Sequence, residues 1–268
     1  MDWGRLLWGR PSWLRPVRSL AMVYLGVTAV VFLAGNQLIF QPPAAGYRPD
    51  SEPFVVLDGD RKLACFFLPP AREDAPLLLW SHGNAEDIGS LQPLLERLHA
   101  RGFGILAYDY PGYGASEGSP AERACYEAID RAWNFATVEK GLSPERILVL
   151  GQSVGSGPAT WLAERRETGG LILLSPFLSA YRTLTRIPLF PGDKFPNAAR
   201  IRSVDEPLLV AHGTRDGVVP FEQGRRIHDL HPGPKHFLAI EGAGHNDIWS
   251  RGWPELVEGL EAIARGEL

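Results

Sequence analysis

Two patterns of apolar and polar positions divide this chain. From residue 53 onward, short runs that are apolar at almost every position recur at 77–80, 104–108, 147–150, 171–174, 208–211 and 237–240. Runs with no polar face suit strands buried on both sides, as in a parallel sheet. Between most of them, residues 91–99, 121–135, 155–163 and 222–230, and after the last run 256–263, carry apolar residues at helical spacing. Two earlier runs, 54–57 and 63–68, flank Gly59 and Asp60 and read as strands of a meander. The alternation predicts an α/β domain over residues 53–268 with a mostly parallel, doubly wound sheet, in which ligands sit beyond the carboxyl ends of the strands. Residues 175–204 form its longest irregular stretch and read as a short cap insertion.

The second pattern lies at the N-terminus. Residues 20–40 carry no charge, whereas the tail before them, 1–19, holds Arg5, Arg10, Arg15 and Arg18 against Asp2. A charge-free stretch of about 20 residues predicts a transmembrane helix, although Gly35, Asn36 and Gln37 weaken its last third. Small residues do not occupy both the last and third-last positions before any plausible cut, so an uncleaved anchor is preferred to a signal peptide. The arginine excess places the tail in the cytoplasm and the domain over residues 53–268 on the extracytoplasmic side. Trp3, Trp8 and Trp13 read as interfacial anchors, and Pro42 and Pro43 open a linker over 41–52.

Composition narrows the partners. A net charge of −4, with no long block of either sign, gives no footprint for nucleic acid, and 45% hydrophobic residues indicate a folded core. Cys65 and Cys125 are too few for a disulfide framework and read as buried thiols, with a bridge open to them in an oxidising compartment. His228, His231 and His236 lack a third placed ligand, so no metal is expected.

Chemistry concentrates at strand ends. Gly151-Gln152-Ser153-Val154-Gly155 follows the run 147–150 and opens a helix, the context of a nucleophile elbow with Ser153 as nucleophile. Asp216 follows the run 208–211 and His245 follows 237–240, in the chain order Ser, Asp, His. A carboxylate on one imidazole nitrogen leaves the other to take the serine proton, which makes His245 the general base and Asp216 its orienting acid. Asp247 is a rival acid that reads better as a helix cap, Asp109 reads as a brace of its own glycine-rich loop, and His82 and His212 read as structural. The oxyanion hole is assigned to the backbone N–H of Val154 and of Asn84, with Ala85 as the alternative to Asn84.

These residues, with Ser81 through Asp87, Tyr108 through Gly114 and Asp193-Lys194-Phe195-Pro196, resemble the α/β-hydrolase superfamily from the linker to the C-terminus. More narrowly the chain resembles the membrane-associated α/β-hydrolase-domain-containing proteins, a group that includes acyl-protein thioesterases. The resemblance implies an α/β-hydrolase fold and a membrane-tethered serine esterase or thioesterase that forms an acyl-enzyme on Ser153 without a cofactor. Its substrate is then an acyl ester or thioester, lipid-like if drawn from the membrane. Phe177, Leu178 and Tyr181 of the cap are the expected substrate-binding residues, at a hydrophobic rim open toward the membrane. The rivals are a peptidase and a catalytically silent binding protein of the same fold. A chain beginning near Pro49 is expected to keep its rate toward small dissolved esters.

Overall fold

The computed structural model describes residues 13–49, 51–72, 74–185 and 187–268. Arg5, Arg10, Trp3 and Trp8 lie outside the described residues; Trp13 is exposed.

Helix α1, Leu14–Ile39, starts earlier than the charge-free stretch. Pro16 falls within its first turn, where the missing N–H has no intrahelical partner to lose. Arg15–Ile39 is long and apolar enough to cross a membrane. It is followed by β1 (Phe54–Leu57), β2 (Leu63–Leu68), β3 (Leu77–Ser81), α2 (Ile88–His99), β4 (Gly104–Tyr108), α3 (Glu122–Asn134) and β5 (Ile147–Gln152). Then come α4 (Ser156–Ala163), β6 (Gly170–Leu174), α5 (Arg182–Thr185), α6 (Asn197–Arg200), β7 (Leu208–Gly213), α7 (Phe221–Leu230), β8 (Lys235–Ile240), α8 (Ile248–Arg251) and α9 (Trp253–Ala264).

The strands form one sheet in the order β1-β2-β4-β3-β5-β6-β7-β8. The two pairings that involve β2 are antiparallel and the rest are parallel. Strand side chains alternate between two cores. Leu77 and Leu79 of β3, with Val149 and Leu173, face α3 and α4, while Leu78 and Trp80, with Leu150 and Ile172, face α2 and α9. That two-sided burial is why β3–β7 have no polar face. Truncating Leu79 to alanine in such a core costs about 2–5 kcal/mol. Strand β8 departs from the expectation of a two-sided strand: it is the sheet edge, and Lys235 and His236 are exposed.

Helix α2 begins three residues before the predicted start because Asp87 caps it. Its carboxylate accepts the Ser90 N–H at 2.7 Å, and Ser90 Oγ accepts the Asp87 N–H at 3.1 Å. Cys65 and Cys125 are buried free thiols, not a bridge.

The linker does not hold α1 away from the domain. Phe40 is buried edge-on against Phe195, with ring centroids 6.1 Å apart. One end of the cap reaches far down the helix, where Tyr24 Oη donates to the Leu189 carbonyl at 2.8 Å and the Tyr24 ring stacks on Phe190. Apart from this stripe the helix is apolar and exposed, as Met22, Leu25, Val30 and Leu33 show.

Candidate active site

Ser153 stands where β5 ends, with φ +52°, a backbone conformation that costs a non-glycine residue about 1–3 kcal/mol. The surroundings enforce it. A Cβ on Gly155 would lie 2.0 Å from the Ser81 carbonyl, and one on Gly151 would lie 2.4 Å from the Gly155 carbonyl, so only glycine lets β5 and α4 pack this tightly around the turn. Ser156 Oγ donates to the Ser153 carbonyl at 2.6 Å, and Asn197 Nδ2 donates to Ser156 Oγ at 3.0 Å, which ties the elbow to α6. The turn places Ser153 before the N-terminus of α4, where the helix dipole favours developing negative charge.

His245, on the loop after β8, spans two partners. Its Nε2 lies 2.9 Å from Ser153 Oγ and its Nδ1 lies 2.7 Å from Asp216 Oδ2. The Asp216 side chain is buried on the loop after β7, and its other oxygen accepts the N–H groups of Val218 at 2.9 Å and Val219 at 2.8 Å. A second imidazole, that of His212, sits 3.3 Å from Asp216 Oδ2 and donates from the same nitrogen toward the Val219 carbonyl at 3.0 Å. Burial acts to raise the Asp216 carboxyl, but hydrogen bonds from His212 and His245, the charge of His245 and the Val219 N–H outweigh it and hold the group well below the usual carboxylate range. Asp216 therefore remains an acceptor for the His245 Nδ1–H.

The rival acid is engaged elsewhere. Asp247 accepts the Gly244 N–H at 2.6 Å and Arg251 Nε at 2.5 Å. Its side chain makes no capping bond to α8, so the expected cap is replaced by a brace of the His245 loop. Asp109 does brace its loop: it accepts the Ile88 N–H at 3.0 Å and Tyr47 Oη at 2.5 Å, and lies 3.3 Å from His82 Nε2. His82 completes this with Nδ1 on the Gly83 carbonyl at 2.7 Å.

Val154 is the first residue after the nucleophile, at a helical start where N–H groups lack an intrahelical partner. Among the described residues the Asn84 N–H has no acceptor, while the preceding Gly83 N–H is taken by Glu86 at 2.8 Å. The Asn84 side chain is locked by the exit of α1: Nδ2 donates to the Ile39 carbonyl at 2.6 Å, and Oδ1 accepts the Gln41 N–H at 3.0 Å and Tyr113 Oη at 2.6 Å. This tie was not visible in sequence, because it joins residues more than 40 positions apart. It also revises the expectation for a chain beginning near Pro49, which lacks both backbone groups that hold Asn84 and should fall below the full-length rate even on dissolved esters.

Ser153 and His245 open into a cavity of about 490 Å³. Phe177 and Tyr181 line it as expected, whereas Leu178 does not: it packs against the main core, with its backbone N–H on Gln223. Phe195 of the same cap is buried against Phe177 and Phe40. Val31, Leu38 and Ile39 of α1 join the wall, a contribution the sequence did not signal.

The geometry is similar to that of known proteins. A family model described as serine aminopeptidase, S33, matches residues 73–192. The mouse alpha/beta hydrolase domain-containing protein 17C is 41% identical over 193 residues, which cover 70% of this chain and 60% of that protein. The 17B protein of Xenopus tropicalis is 36% identical over 215 residues, covering 77% of this chain and 72% of that protein. The chain thus spans about 60% of the length of the 17C relative. Among solved structures, Est1E from Butyrivibrio proteoclasticus with bound ferulic acid aligns with a TM-score of 0.66 at 19% identity, over 80% of this chain and 98% of that one. The Pyrococcus furiosus esterase Pf2001 aligns at 0.66 and 16% identity, over 84% and 98%.

Proposed function

This chain belongs to the α/β-hydrolase-domain-containing family and is a serine hydrolase, and from that premise we propose that it cleaves carboxylic esters or thioesters through an acyl-enzyme on Ser153. The observation that carries the reading is the unbroken line Ser153 Oγ, His245 Nε2, His245 Nδ1, Asp216 Oδ2, with steps of 2.9 and 2.7 Å, at the floor of an apolar cavity.

In the first half-reaction His245 Nε2 takes the Ser153 proton as Oγ attacks the acyl carbonyl carbon. The carbonyl π electrons move to oxygen, and the N–H groups of Val154 and Asn84 hold the resulting oxyanion. Collapse expels the alcohol or thiol, which takes the proton from His245, and leaves the acyl group on Ser153. Water then repeats the sequence: His245 takes its proton, the hydroxyl attacks the acyl carbon, and Ser153 Oγ leaves with that proton. Asp216 stays ionised, fixes the imidazole tautomer and offsets the charge of the imidazolium.

A fluorophosphonate probe tests the nucleophile. Wild-type protein should be labelled and Ser153→Ala should not; folded wild type that resists the probe overturns the reading in favour of a silent binding protein. A screen of esters, thioesters and aminoacyl amides then separates the ester reading from the peptidase that the matched family model names.

Helix α1 is the proposed tether. In the spanning arrangement its arginine-rich start lies in the cytoplasm and the domain on the far side. The contact between Tyr24 and the cap favours a second arrangement. The stretch from Tyr24 to Phe40 lies along the domain for about 24 Å, and the described part of the helix before it adds about 15 Å, against a hydrocarbon core of about 30 Å. A perpendicular span would draw the irregular segment around Leu189 into lipid, where unpaired backbone is not tolerated. The helix then lies along one leaflet. With Cys65 and Cys125 buried, an impermeant maleimide on sealed membrane vesicles decides: Arg15→Cys and Ser51→Cys react from opposite faces if α1 spans, and from the same face if it does not.

A further inference from the structure

Helix α1 does more than touch the domain. Its residues Val31, Leu38 and Ile39 line one side of the cavity that holds Ser153 and His245, and Tyr181, Leu184 and Phe190 of the cap line the other. From Ile39 to Val31 the helix rises about 12 Å away from the catalytic loop. The near end is fixed at Asn84, which takes the Ile39 carbonyl, and the far end at Tyr181, whose hydroxyl lies 3.5 Å from the Val31 carbonyl. Between them Gly35 meets Tyr181 directly: a Cβ there would sit 2.5 Å from the phenolic oxygen. Glycine, which only weakens the helix as a membrane span, is what lets the cap close against it.

The mouth of this groove is apolar. Leu184 is 88% exposed, and Ile187 and Leu189 are largely exposed beside it. Phe32 and Leu33 of α1 are exposed in the same way, and a Cβ on Gly192 of the cap would meet the Phe32 ring at 3.6 Å. Apolar surface on both lips of a groove leading to a serine nucleophile matches an acyl chain taken from lipid, because each buried methylene contributes about 0.8 kcal/mol.

We propose that the groove between α1 and the cap is the acyl-chain binding site, and that the anchor helix reads chain length through Val31 at its far end. This rests on the ester or thioester reading above and adds to it the substrate class, a membrane-resident acyl amphiphile. The short end of the chain lies at Ile39 beside the reacting carbonyl, and a longer chain reaches Val31. The chemistry at Ser153 is unchanged; only the hydrophobic binding of the chain depends on α1.

The test uses the full chain in detergent micelles with p-nitrophenyl acetate, octanoate and dodecanoate, and reads the ratio of kcat/KM for dodecanoate to that for acetate. Val31→Trp fills the far end and should lower this ratio about tenfold, the equivalent of about two buried methylenes. Val31→Ala should move the preferred chain length upward. Val30→Trp places the same ring on an exposed part of the helix and should leave the ratio as in wild type. Fluorophosphonate labelling of each variant reports that it is folded with Ser153 competent. An unchanged ratio in both Val31 variants, or an equal fall in Val30→Trp, overturns the proposal while the ester reading stands. Failure of labelled wild-type protein to hydrolyse any of the three esters removes the ester reading itself, and the acyl site with it.

Discussion

Two histidine–aspartate pairs sit at strand ends on the same edge of the sheet, and they are set in opposite surroundings. His82 and Asp109 are both fully buried, and each has its groups taken within the fold: the Gly83 carbonyl on one imidazole nitrogen, Asp109 near the other, and Tyr47 and the Ile88 N–H on the carboxylate. His245 and Asp216 share the buried carboxylate but not the sealed imidazole. His245 keeps 12% of its side chain exposed and turns its second nitrogen to Ser153 rather than to backbone. A carboxylate beside an imidazole is thus not a catalytic signal by itself. Catalysis needs the remaining nitrogen to meet a nucleophile and the nucleophile to meet an open cavity, whereas the sealed pair holds a loop in shape.

Substitutions that break each pair should separate the two roles. The largest effect is expected for His245→Ala, which should reduce kcat toward a small ester by about 10⁴-fold or more and leave thermal stability nearly intact. Asp216→Asn should follow with a loss of about 10³–10⁴ in kcat, because the wrong imidazole tautomer is stabilised. Asp247→Asn in a parallel assay should cost far less; a larger loss there would transfer the orienting role to Asp247. Asp109→Asn is expected to act on the fold. Removing one partner of a buried pair costs about 3–5 kcal/mol, a fall of about 10 °C in Tm for a domain of this size, with a kcat loss well below that of Asp216→Asn. An Asp109→Asn protein that melts like wild type but has lost its activity would erase the distinction between the pairs.

The smallest effect is a slope. Burial acts to lower the His82 imidazole, but Asp109 and the Gly83 carbonyl outweigh it and raise it above the ordinary histidine value. A raised value in the folded state gives stability that is fully present below about pH 6.5 and is lost as pH rises through the folded value. Tm of the wild type should therefore decline as pH rises above about 6.5, and Asp109→Asn should flatten that decline. Asp216 has the opposite sign. Its depressed carboxyl stabilises the fold above about pH 4, and that contribution is lost as pH falls further. Thermal melts across the acid range of wild type and Asp216→Asn would show it.

Much of this molecule was legible in the chain itself. Apolar runs located all eight strands of the described sheet; for β3–β7 the signal was unbroken because burial on both faces leaves no room for a polar position, whereas β1 and β2 were marked by the turn between them and β8 is a half-exposed edge. Ser153, Asp216 and His245 were legible because each lies just past such a run in a local motif, and a doubly wound sheet brings the ends of its parallel strands to one edge. Their distances agree with that expectation. The start of α2 was misplaced because an Asp87 cap depends on one side-chain geometry rather than on periodicity.

Other features depended on where distant segments came to rest. Leu178 and Tyr181 are both apolar cap residues three positions apart, yet only Tyr181 lines the cavity, because the path of the irregular chain and not its composition sets which way each points. His212 carried no mark of its contact with Asp216, and nothing in residues 20–40 distinguished a helix free of the domain from one whose Val31, Leu38 and Ile39 wall the cavity of Ser153 and His245. Local patterns determine strands, turns and the order of chemical groups, since those follow from neighbours along the chain. Only the tertiary structure decided that α1 shares the cavity of Ser153 and His245, because that contact joins α1 to a cap some 150 residues later and is made by shape, with Gly35 leaving the space that Tyr181 fills.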